Sequence, residues 1–224
     1  MQSPQRIRSG FNFFATFYDL ASFIFFGNSI LHSQTFLLPR IKKCSNVLVF
    51  GGGTGKILIE LMKRDVAERY CYVDISDRMI AKTRARLKKR FQERVDSVHF
   101  ICGSLDDMEA EMNFDLIVTP YVLDCFTSEK LPLVMQQLHR HLTVDGEWLF
   151  ADFNVPESRW GRSFSTFKIK VMYFVFNIIC GLGVKRLSDF KKEFEKMNCE
   201  MTDEKYFLHG LLVARIYKAV GKIR

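Results

Sequence analysis

The sequence predicts an α/β protein with a doubly wound, mostly parallel β-sheet and an antiparallel hairpin at its C-terminal edge. From residue 47 onwards, short apolar runs alternate with amphipathic segments, which is typical of parallel strands joined by crossover helices. Two late apolar runs, YFLHG and LLVARIYKA, lie close enough together to form the hairpin. At 224 residues and 48% hydrophobic content, the chain suits one domain with a full core.

The same alternation places the individual elements. It predicts strands near 47–51, 70–74, 98–102, 115–119 and 147–152, and helices near 55–64, 77–92, 129–141 and 188–197. No repeat, low-complexity tract or linker interrupts it, so we place no internal domain boundary. The pattern is Rossmann-like, and in such sheets ligands bind beyond the carboxyl ends of the strands.

The N-terminal 45 residues are rich in aromatic side chains. A signal peptide would not normally carry Tyr18 and Asp19 in its apolar centre, so we expect the mature chain to begin near Met1. The apolar spacing is helical, and either a helix packed on the core or a lid over a ligand site explains it. The two apolar sets are Phe11, Phe14, Tyr18 and Phe25, and Phe13, Phe17, Leu20 and Ile24.

The stretch VLVFGGGTGKIL, residues 47–58, joins a predicted strand to a predicted helix through a glycine-rich loop. Such a loop lets main-chain N–H groups and the helix N-terminus approach a polar ligand. A phosphate-binding P-loop is excluded, because Phe50 stands where its first glycine should be and Ile57 follows the lysine. The pattern G-x-G-x-x-G is also excluded, because Lys56 or Leu58 stands at its third glycine.

A G-x-G-x-G pattern remains, through Gly51, Gly53 and Gly55. Some twenty residues later, Asp74 ends the second predicted strand, where an acid is placed to accept hydrogen bonds from ribose hydroxyls. The simpler explanation is that the glycines form a plain tight turn and that Asp74 is only the neighbour of a helix N-cap. In that case the sequence spacing between the loop and the acid is a coincidence.

Four blocks of sequence resemble class I S-adenosylmethionine-dependent methyltransferases, especially the small-molecule branch that includes the ubiquinone and menaquinone methyltransferases. VLVFGGGTG is similar to that family's first motif, and VDISDRMI to its second. FDLIVTPYVLDCF and LHRHLTVDGEWLFADF resemble its fourth and fifth strands with the intervening helix. The resemblance covers roughly residues 11–218.

The resemblance implies S-adenosyl-L-methionine as cofactor and assigns residues to it. The glycine loop would face the methionine part, Asp74 would hold the ribose, Ile75 would pack on adenine, and Thr119 would border the sulfonium. Two departures are Val49 and Ser104, which stand where the family often has acids. The assigned cofactor residues are Tyr18, Gly51, Gly52, Gly53, Gly55, Asp74, Ile75, Ser104, Leu105 and Thr119, and no metal is expected.

Methyl transfer requires a nucleophile held in line with an already activated methyl group, so no triad or metal is needed. A nearby base would help if the acceptor is a phenol or an activated carbon. Tyr121 and Asp124 are the first catalytic candidates, and Tyr18, Asp19 and His209 are further ones. Capping, packing or surface roles are the simpler explanation for each.

The segment VMYFVFNIICGLGV, residues 171–184, bears on the acceptor. It is too short to span a membrane, which takes about 20 residues, and lysines and arginine flank it. Similar enzymes insert a segment over the substrate pocket here, so we expect 155–187 to form a cap and 1–45 a lid. The segment predicts a small lipophilic acceptor or a peripheral membrane contact, although a plain core helix also explains it.

Nucleic acid is the main rival partner, because the net charge is +8 and residues 82–94 read KTRARLKKRFQER. That run fits the solvated face of an amphipathic helix, so we do not expect nucleic acid to bind. TPY at 119–121 is similar to the [DN]-P-P-[YF] motif of amino-group methyltransferases, which would indicate a base or an amide as acceptor. It lacks the acid or amide and one proline of that motif, so we do not adopt this interpretation. A nucleic-acid methyltransferase, a nicotinamide or flavin enzyme and a noncatalytic member of the fold stay open.

The six cysteines form no C-x-x-C pair and have no histidine at metal-ligand spacing. We therefore expect buried free thiols in a reducing compartment and a cytoplasmic protein. The oligomeric state stays open.

Overall fold

The computed structural model describes residues 4–15, 18–154, 184 and 187–220. Within them, seven strands form one sheet and seven α-helices accompany it. The helices are α1 (Pro4–Ala15), α2 (Tyr18–Phe26), α3 (Ser29–Thr35), α4 (Lys56–Lys63), α5 (Asp77–Arg90), α6 (Leu131–Arg140) and α7 (Phe190–Lys196). The strands are β1 (Cys44–Phe50), β2 (Ala67–Asp74), β3 (Val98–Cys102), β4 (Phe114–Pro120), β5 (Leu142–Phe153), β6 (Cys199–Phe207) and β7 (Leu212–Ala219).

The strand order is β3-β2-β1-β4-β5-β7-β6. Strands β1 to β5 pair in parallel, and β7 lies antiparallel between β5 and β6. The order reverses at β1, so the carboxyl ends of β1 and β4 flank the position where such sheets bind ligands. The predicted fold class and the hairpin at the sheet edge are both confirmed.

Both faces of the sheet are covered, as a parallel sheet requires. Successive β1 residues alternate between two apolar clusters, with Leu48 and Phe50 in one and Val47 and Val49 in the other. Val49, which occupies the position of a frequent family acid, is fully buried against the α4 side. An acid there would require a partner inside an apolar cluster.

The largest error in the predicted elements concerns β6. The apolar pattern marked this strand only from residue 206, whereas it begins at Cys199. Most β6 side chains are exposed, since the strand forms the edge of the sheet and has only β7 beside it. Edge strands tolerate polar sequences that central strands do not, so hydrophobicity alone could not locate its start.

The N-terminal region forms three short helices rather than one long one. The helix α1 packs against α5, and α3 contacts α4 and the β6–β7 hairpin. The outer face of α2 is exposed at Leu20, Phe23 and Ile24, so packing on the core does not explain these residues. Among the helices of the described residues, none is long and apolar enough to cross a bilayer.

The described cysteines are free thiols. Cys71 and Cys199 are buried as expected, and burial raises the pKa of the first to about 12 and of the second to about 11. The expectation is wrong for Cys102, which is exposed at the end of β3. Cys180 lies outside the described residues.

Candidate functional site

The glycine loop follows β1 directly and turns the chain into α4. Gly51, Gly53 and Gly55 all have positive φ, at +68°, +61° and +77°, a backbone conformation that side chains disfavour. Space is equally restrictive, because a Cβ atom on Gly51 would lie 2.2 Å from Val122 Cγ2, and one on Gly55 would lie 2.4 Å from Thr83 Cγ2. The loop therefore requires glycine at Gly51 and Gly55 for both reasons, and at Gly53 because of its φ.

Side chains of β2 and α5 hold the glycine loop in place through hydrogen bonds to Gly53. The Tyr72 hydroxyl donates to the Gly53 carbonyl at 2.9 Å, and the Thr83 hydroxyl donates to the same oxygen at 3.1 Å. On the other side, Asp74 Oδ2 accepts from Gly53 N at 3.0 Å, while Oδ1 accepts from Ser76 N at 2.9 Å. The acid and the loop are thus held in one register before any ligand binds.

The Asp74 carboxyl is buried, with 8% of its surface exposed. Burial raises its pKa to about 6, although the two main-chain hydrogen bonds act in the opposite direction. Each carboxylate oxygen has two lone pairs, so two acceptor positions remain after these bonds. The site therefore presents an ionisable acceptor whose charge would be stabilised by further hydroxyl donors.

A cavity of about 220 Å³ opens beside the loop and Asp74. It lies at the carboxyl ends of β1, β2 and β4, with Phe11 of α1 on another side. Its wall is mostly apolar, with a few convergent polar groups, which is typical of a small-molecule site. The described lining residues are Phe11, Phe50, Gly51, Gly53, Val73, Asp74, Ile75, Met79, Gly103, Ser104, Tyr121, Val122, Cys125, Phe126, Thr127 and Lys130.

The helix α1 is fastened beside this cavity by polar contacts. The Ser76 hydroxyl donates to Asn12 Oδ1 at 2.6 Å, and Arg78 Nη1 donates to the Asn12 carbonyl at 3.4 Å. Phe11, the preceding residue, lines the cavity. The helix α1 therefore forms part of the site wall.

A cluster of charges attaches α2 to the glycine loop. Asp19 accepts from the Thr54 hydroxyl at 2.9 Å and forms ion pairs with Lys56 and Arg86, both at 3.0 Å. Burial acts to raise the pKa of Asp19, but hydrogen bonds from Lys56 and Thr54 and the charges of Lys56 and Arg86 outweigh it, so the pKa is lowered. Asp19 thus joins α2 to α4, which follows the glycine loop, and to α5, which follows β2.

Tyr121 stands at the carboxyl end of β4 with φ +55°, a conformation that is rare for a bulky residue. Its hydroxyl shares a hydrogen bond with Ser33 Oγ at 2.6 Å, in which either oxygen can donate, and Ser33 Oγ also lies 2.8 Å from the Ile30 carbonyl. Its ring packs edge-on against Phe153, at 5.0 Å between centroids.

Two buried carboxyls lie behind this part of the wall. Asp152 is fully buried at the end of β5 and accepts from the main-chain nitrogens of Asp124 at 3.2 Å and Phe153 at 2.8 Å. Burial raises the pKa of Asp124 to about 7. Burial and the neighbouring Asp124 charge raise the pKa of Asp152 well above its usual value. One of the two carboxyls therefore stays protonated at neutral pH.

The cavity brings together six of the residues assigned from the sequence: Gly51, Gly53, Asp74, Ile75, Ser104 and Tyr121. Ser104 begins a short 3₁₀ turn, where its side chain accepts from Asp106 N at 3.3 Å and its own nitrogen donates to Asp107. Its hydroxyl is therefore already engaged within the turn.

Other assigned residues lie away from the described lining. Thr119 is fully buried, and its hydroxyl accepts from Trp148 Nε1 at 2.9 Å. Leu105 is buried in the core, and Gly52 faces Tyr72.

Of the other catalytic candidates, His209 is exposed in the turn before β7, and Asp124 lies behind the wall. Tyr18 begins α2, and its side chain is not among those described. Neither His209 nor Asp124 is among the described lining residues.

The sequence interpretation missed several residues around the site. Asp152 is the clearest, because an acid inside the apolar run LFADF was a visible anomaly. Ser33 and Asn12 carried no signal, since small polar residues in helices are common. Thr127 and Lys130 line the cavity from the loop before α6, where no motif marked them.

The comparisons with known proteins bear on this geometry. Residues 48–148 match the family described as a methyltransferase domain. This stretch of the chain therefore resembles a methyltransferase domain. The family resemblance inferred from the four blocks is thereby confirmed, and the match spans the glycine loop, Asp74 and the end of β4.

The methyltransferase domain has curated relatives of matching kind. Malonyl-[acyl-carrier protein] O-methyltransferase of Priestia megaterium is 31% identical over 107 residues, covering 48% of this chain and 36% of that protein. The Bacillus anthracis protein of the same name is 25% identical over 150 residues, covering 66% and 52%. The matched part of the chain spans about half or less of the length of these relatives.

Solved structures share the fold of the methyltransferase domain. A 1,6-didemethyltoxoflavin-N1-methyltransferase from Burkholderia thailandensis, solved with its substrate and S-adenosylhomocysteine, has a TM-score of 0.69 at 14% identity. It covers 99% of this chain and 92% of that one. An S-adenosylmethionine-dependent methyltransferase from Clostridium acetobutylicum has a TM-score of 0.65 at 11% identity, with coverage of 94% and 100%.

Proposed function

We propose that this protein transfers a methyl group from S-adenosyl-L-methionine to a small, lipophilic acceptor. The observation that carries the proposal is the hydrogen bond from Gly53 N to Asp74, which holds the glycine loop and the acid on one wall of a single cavity. Neither a P-loop nor a dinucleotide fingerprint fits the same glycine loop.

The cavity fits the cofactor at three places. The bare backbone at Gly51 and Gly53 suits close approach by the methionine part, and the remaining lone pairs of Asp74 suit two ribose hydroxyls. Ile75 and Met79 offer apolar surface for the adenine ring. When bound, the sulfonium supplies an already activated methyl group. The chain itself has to hold the acceptor in line and exclude water.

The N-terminal lid is supported by the contacts of α1 and α2. Asp19 ties α2 to Lys56 and Arg86, and Asn12 ties α1 to Ser76 beside the ribose acid. We propose that residues 1–45 close over the bound cofactor. The proposed cap, 155–187, lies outside the described residues apart from positions 184 and 187 and stays a prediction.

The acceptor is expected beside the apolar part of the wall, formed by Phe11, Phe50, Val122 and Phe126. The relatives named above act on malonyl-[acyl-carrier protein] and on 1,6-didemethyltoxoflavin, according to their names. These substrates carry different nucleophilic atoms, so the proposed acceptor class is supported by the apolar lining and not by either relative.

Tyr121 is the better placed of the two catalytic candidates, because it lines the cavity. Its hydroxyl is held 2.6 Å from Ser33 Oγ and can donate or accept, which suits an acceptor carrying an O–H or N–H group. Asp124 is not among the described lining residues, so any contribution is expected to pass through the position of the 121–127 loop. Ser104 and Thr119 remain proposals for the cofactor site.

We also propose a cytoplasmic location, supported by free thiols, and a peripheral membrane contact, supported by exposed apolar side chains on α2. Nucleic acid is not proposed as a partner, since no motif or lining residue supports it.

The test is transfer of tritiated methyl groups from S-adenosylmethionine into material extracted by organic solvent, with a bacterial lipid extract as the source of acceptors. We expect label in the organic phase with the wild type and at least about tenfold less with Asp74→Asn, which loses the charge that ribose donors stabilise. Asp77→Asn, an exposed acid three residues away, should retain activity.

Each negative result has a distinct meaning. Label in nucleic acid rather than lipid would replace the acceptor class. Tight S-adenosylhomocysteine binding without transfer to any extract would favour a noncatalytic member of the fold. Binding of NADH in place of S-adenosylhomocysteine would overturn the proposed cofactor.

A further inference from the structure

The outer side of α2 carries an exposed apolar face. Leu20, Phe23 and Ile24 are 59%, 57% and 69% exposed, and their spacing puts them on one side of the helix. Phe25 next to them and Phe13 on α1 are 55% and 61% exposed. Exposed apolar groups of this size usually mark an interaction site rather than free surface.

A row of basic side chains on α5 borders this face. Arg78 and Lys82 donate to the main-chain carbonyls of Asn12 and Ala15 in α1, and Arg86 pairs with Asp19 of α2. These three residues succeed one another at intervals of four, which places them on one side of α5. The row therefore runs along the N-terminal helices.

The basic row continues beyond its contact with α2. Lys89 and Arg90 follow Arg86 by three and four residues and are exposed. Arg6 and Arg8 add two exposed charges on α1. Arg86 puts a cation on the border of the apolar face through its ion pair with α2, and Lys89 and Arg90 extend the positive charge along α5, which suits an anionic surface.

Aromatic rings connect the exposed face with the cavity. Phe25 lies 6.3 Å from Phe26, Phe26 lies 5.5 Å from Phe153, and Phe153 lies 5.0 Å from Tyr121, all between ring centroids. Tyr121 lines the cavity. A continuous apolar row therefore leads from the outer face of α2 to the acceptor side of the site.

We propose that α1, α2 and the basic row of α5 seat the protein on an anionic phospholipid bilayer, with Leu20, Phe23 and Ile24 inserted at the headgroup boundary. Interfacial helices combine an apolar face with basic neighbours in this way. A second copy of the chain fits less well, because pairing the same faces would bring two basic rows together. The seating on the bilayer rests on the exposed surface alone. That the bilayer supplies the lipophilic acceptor rests on the proposed function, which it deepens.

The test is flotation of the full chain with vesicles of phosphatidylcholine containing phosphatidylglycerol, compared with phosphatidylcholine alone. We expect the wild type to bind the anionic vesicles at least about tenfold more strongly and to dissociate as salt is raised. The triple variant Leu20→Ser, Phe23→Ser, Ile24→Ser should lose at least about tenfold in partitioning. Its matched control is Leu133→Ser with Val144→Ser, two residues 66% and 53% exposed on α6 and β5.

Charge is tested separately from apolar area. Lys89→Gln with Arg90→Gln should weaken binding to anionic vesicles by about fivefold or more. Lys191→Gln with Lys192→Gln on α7 makes the same change of net charge at another exposed place and should have a smaller effect. Far-UV circular dichroism reports folding and is expected to be unchanged in all four variants.

Ile24→Ser alone serves as a milder variant if the triple variant loses its fold, and it should weaken vesicle binding by several-fold. Absence of vesicle binding by the wild type would overturn the proposal, as would equal losses in the test and control variants. Self-association that the triple variant abolishes, without vesicle binding, would assign the face to a second copy instead. None of these results depends on methyl transfer, so failure here leaves the proposed activity standing.

Discussion

The side-chain carboxylate of Asp74 accepts a hydrogen bond from the main-chain nitrogen of Gly53 at 3.0 Å. This bond links the end of β2 to the loop after β1, two segments that are 21 residues apart in the chain. It fixes the acid beside the bare backbone of the loop, so both sides of the proposed cofactor site are arranged in advance.

Cofactor affinity should depend on pH through Asp74. Its pKa of about 6 reflects burial, and ribose hydroxyl donors favour the charged form, so a bound ligand lowers that pKa. S-adenosylhomocysteine affinity is therefore expected to be constant above pH 7 and to fall by up to about tenfold per unit below pH 6. Calorimetric titration from pH 5 to pH 8 measures this, and Asp74→Asn should bind weakly with no such dependence. A flat wild-type profile would contradict the role given to Asp74.

Gly51→Ala should abolish cofactor binding, because its Cβ atom would lie 2.2 Å from Val122 Cγ2 and its φ is +68°. The matched control is Gly27→Ala, with φ +58° and no atom within 4 Å of the new Cβ. The control isolates the backbone cost, about 1 kcal/mol of unfolding free energy, and should keep its affinity. Adding Val122→Ala to Gly51→Ala should recover part of the lost stability. Equal losses of stability and affinity in Gly51→Ala and Gly27→Ala would refute the packing argument.

Asp19→Asn should speed dissociation of S-adenosylhomocysteine by several-fold, because it weakens the attachment of α2 to Lys56 and Arg86. The lowered pKa of Asp19 means that this contribution is present above about pH 4 and is lost only as the pH falls further. Stopped-flow measurements at pH 6 to 8 should therefore find a pH-independent effect that shrinks in high salt. Asp65→Asn removes exposed ion pairs elsewhere and should leave the dissociation rate unchanged.

Asp152→Asn should gain thermal stability relative to the wild type as the pH rises from 5 to 8. The folded-state pKa values of Asp124 and Asp152 lie above the unfolded value near 4, so their contribution to stability is present below pH 4 and declines as pH rises through about 7. The amide oxygen can still accept from Asp124 N and one buried charge is removed, but the amide nitrogen would face the donor Phe153 N, a cost that does not vary with pH. The difference in Tm between variant and wild type should therefore favour the variant more at pH 8 than at pH 5. Asp145→Asn, at an exposed turn position, should show no such trend.

The fold was predictable because the central strands are buried on both faces. The run VLVF reads as continuous apolar sequence, since its alternate residues pack into two separate clusters. The strand β6 was not predictable over its full length, because its edge position permits the polar sequence CEMTDEKYF. Propensity and periodicity report burial, and this strand is held mainly by its pairing with β7.

The site was predictable where backbone geometry dictates residue type. Gly51 and Gly53 line the cavity as the loop pattern suggested, and Asp74 lies where the end of a parallel strand puts it. The contacts of Ser33 and Asn12 were not predictable, since they depend on how three short helices pack on the sheet. Sequence spacing also cannot tell which way a residue at the end of a strand points. The position of Thr119 in the core, against Trp148, was therefore not predictable.

The most direct measurement is calorimetric titration of S-adenosylhomocysteine into the wild type, Asp74→Asn and Asp77→Asn at pH 7.5, with NADH as the competing cofactor class. We expect micromolar binding by the wild type and Asp77→Asn, a loss of at least about tenfold in Asp74→Asn, and no heat with NADH. No binding by a folded wild type, or equal binding by Asp74→Asn, would contradict the assignment of this cavity to S-adenosylmethionine.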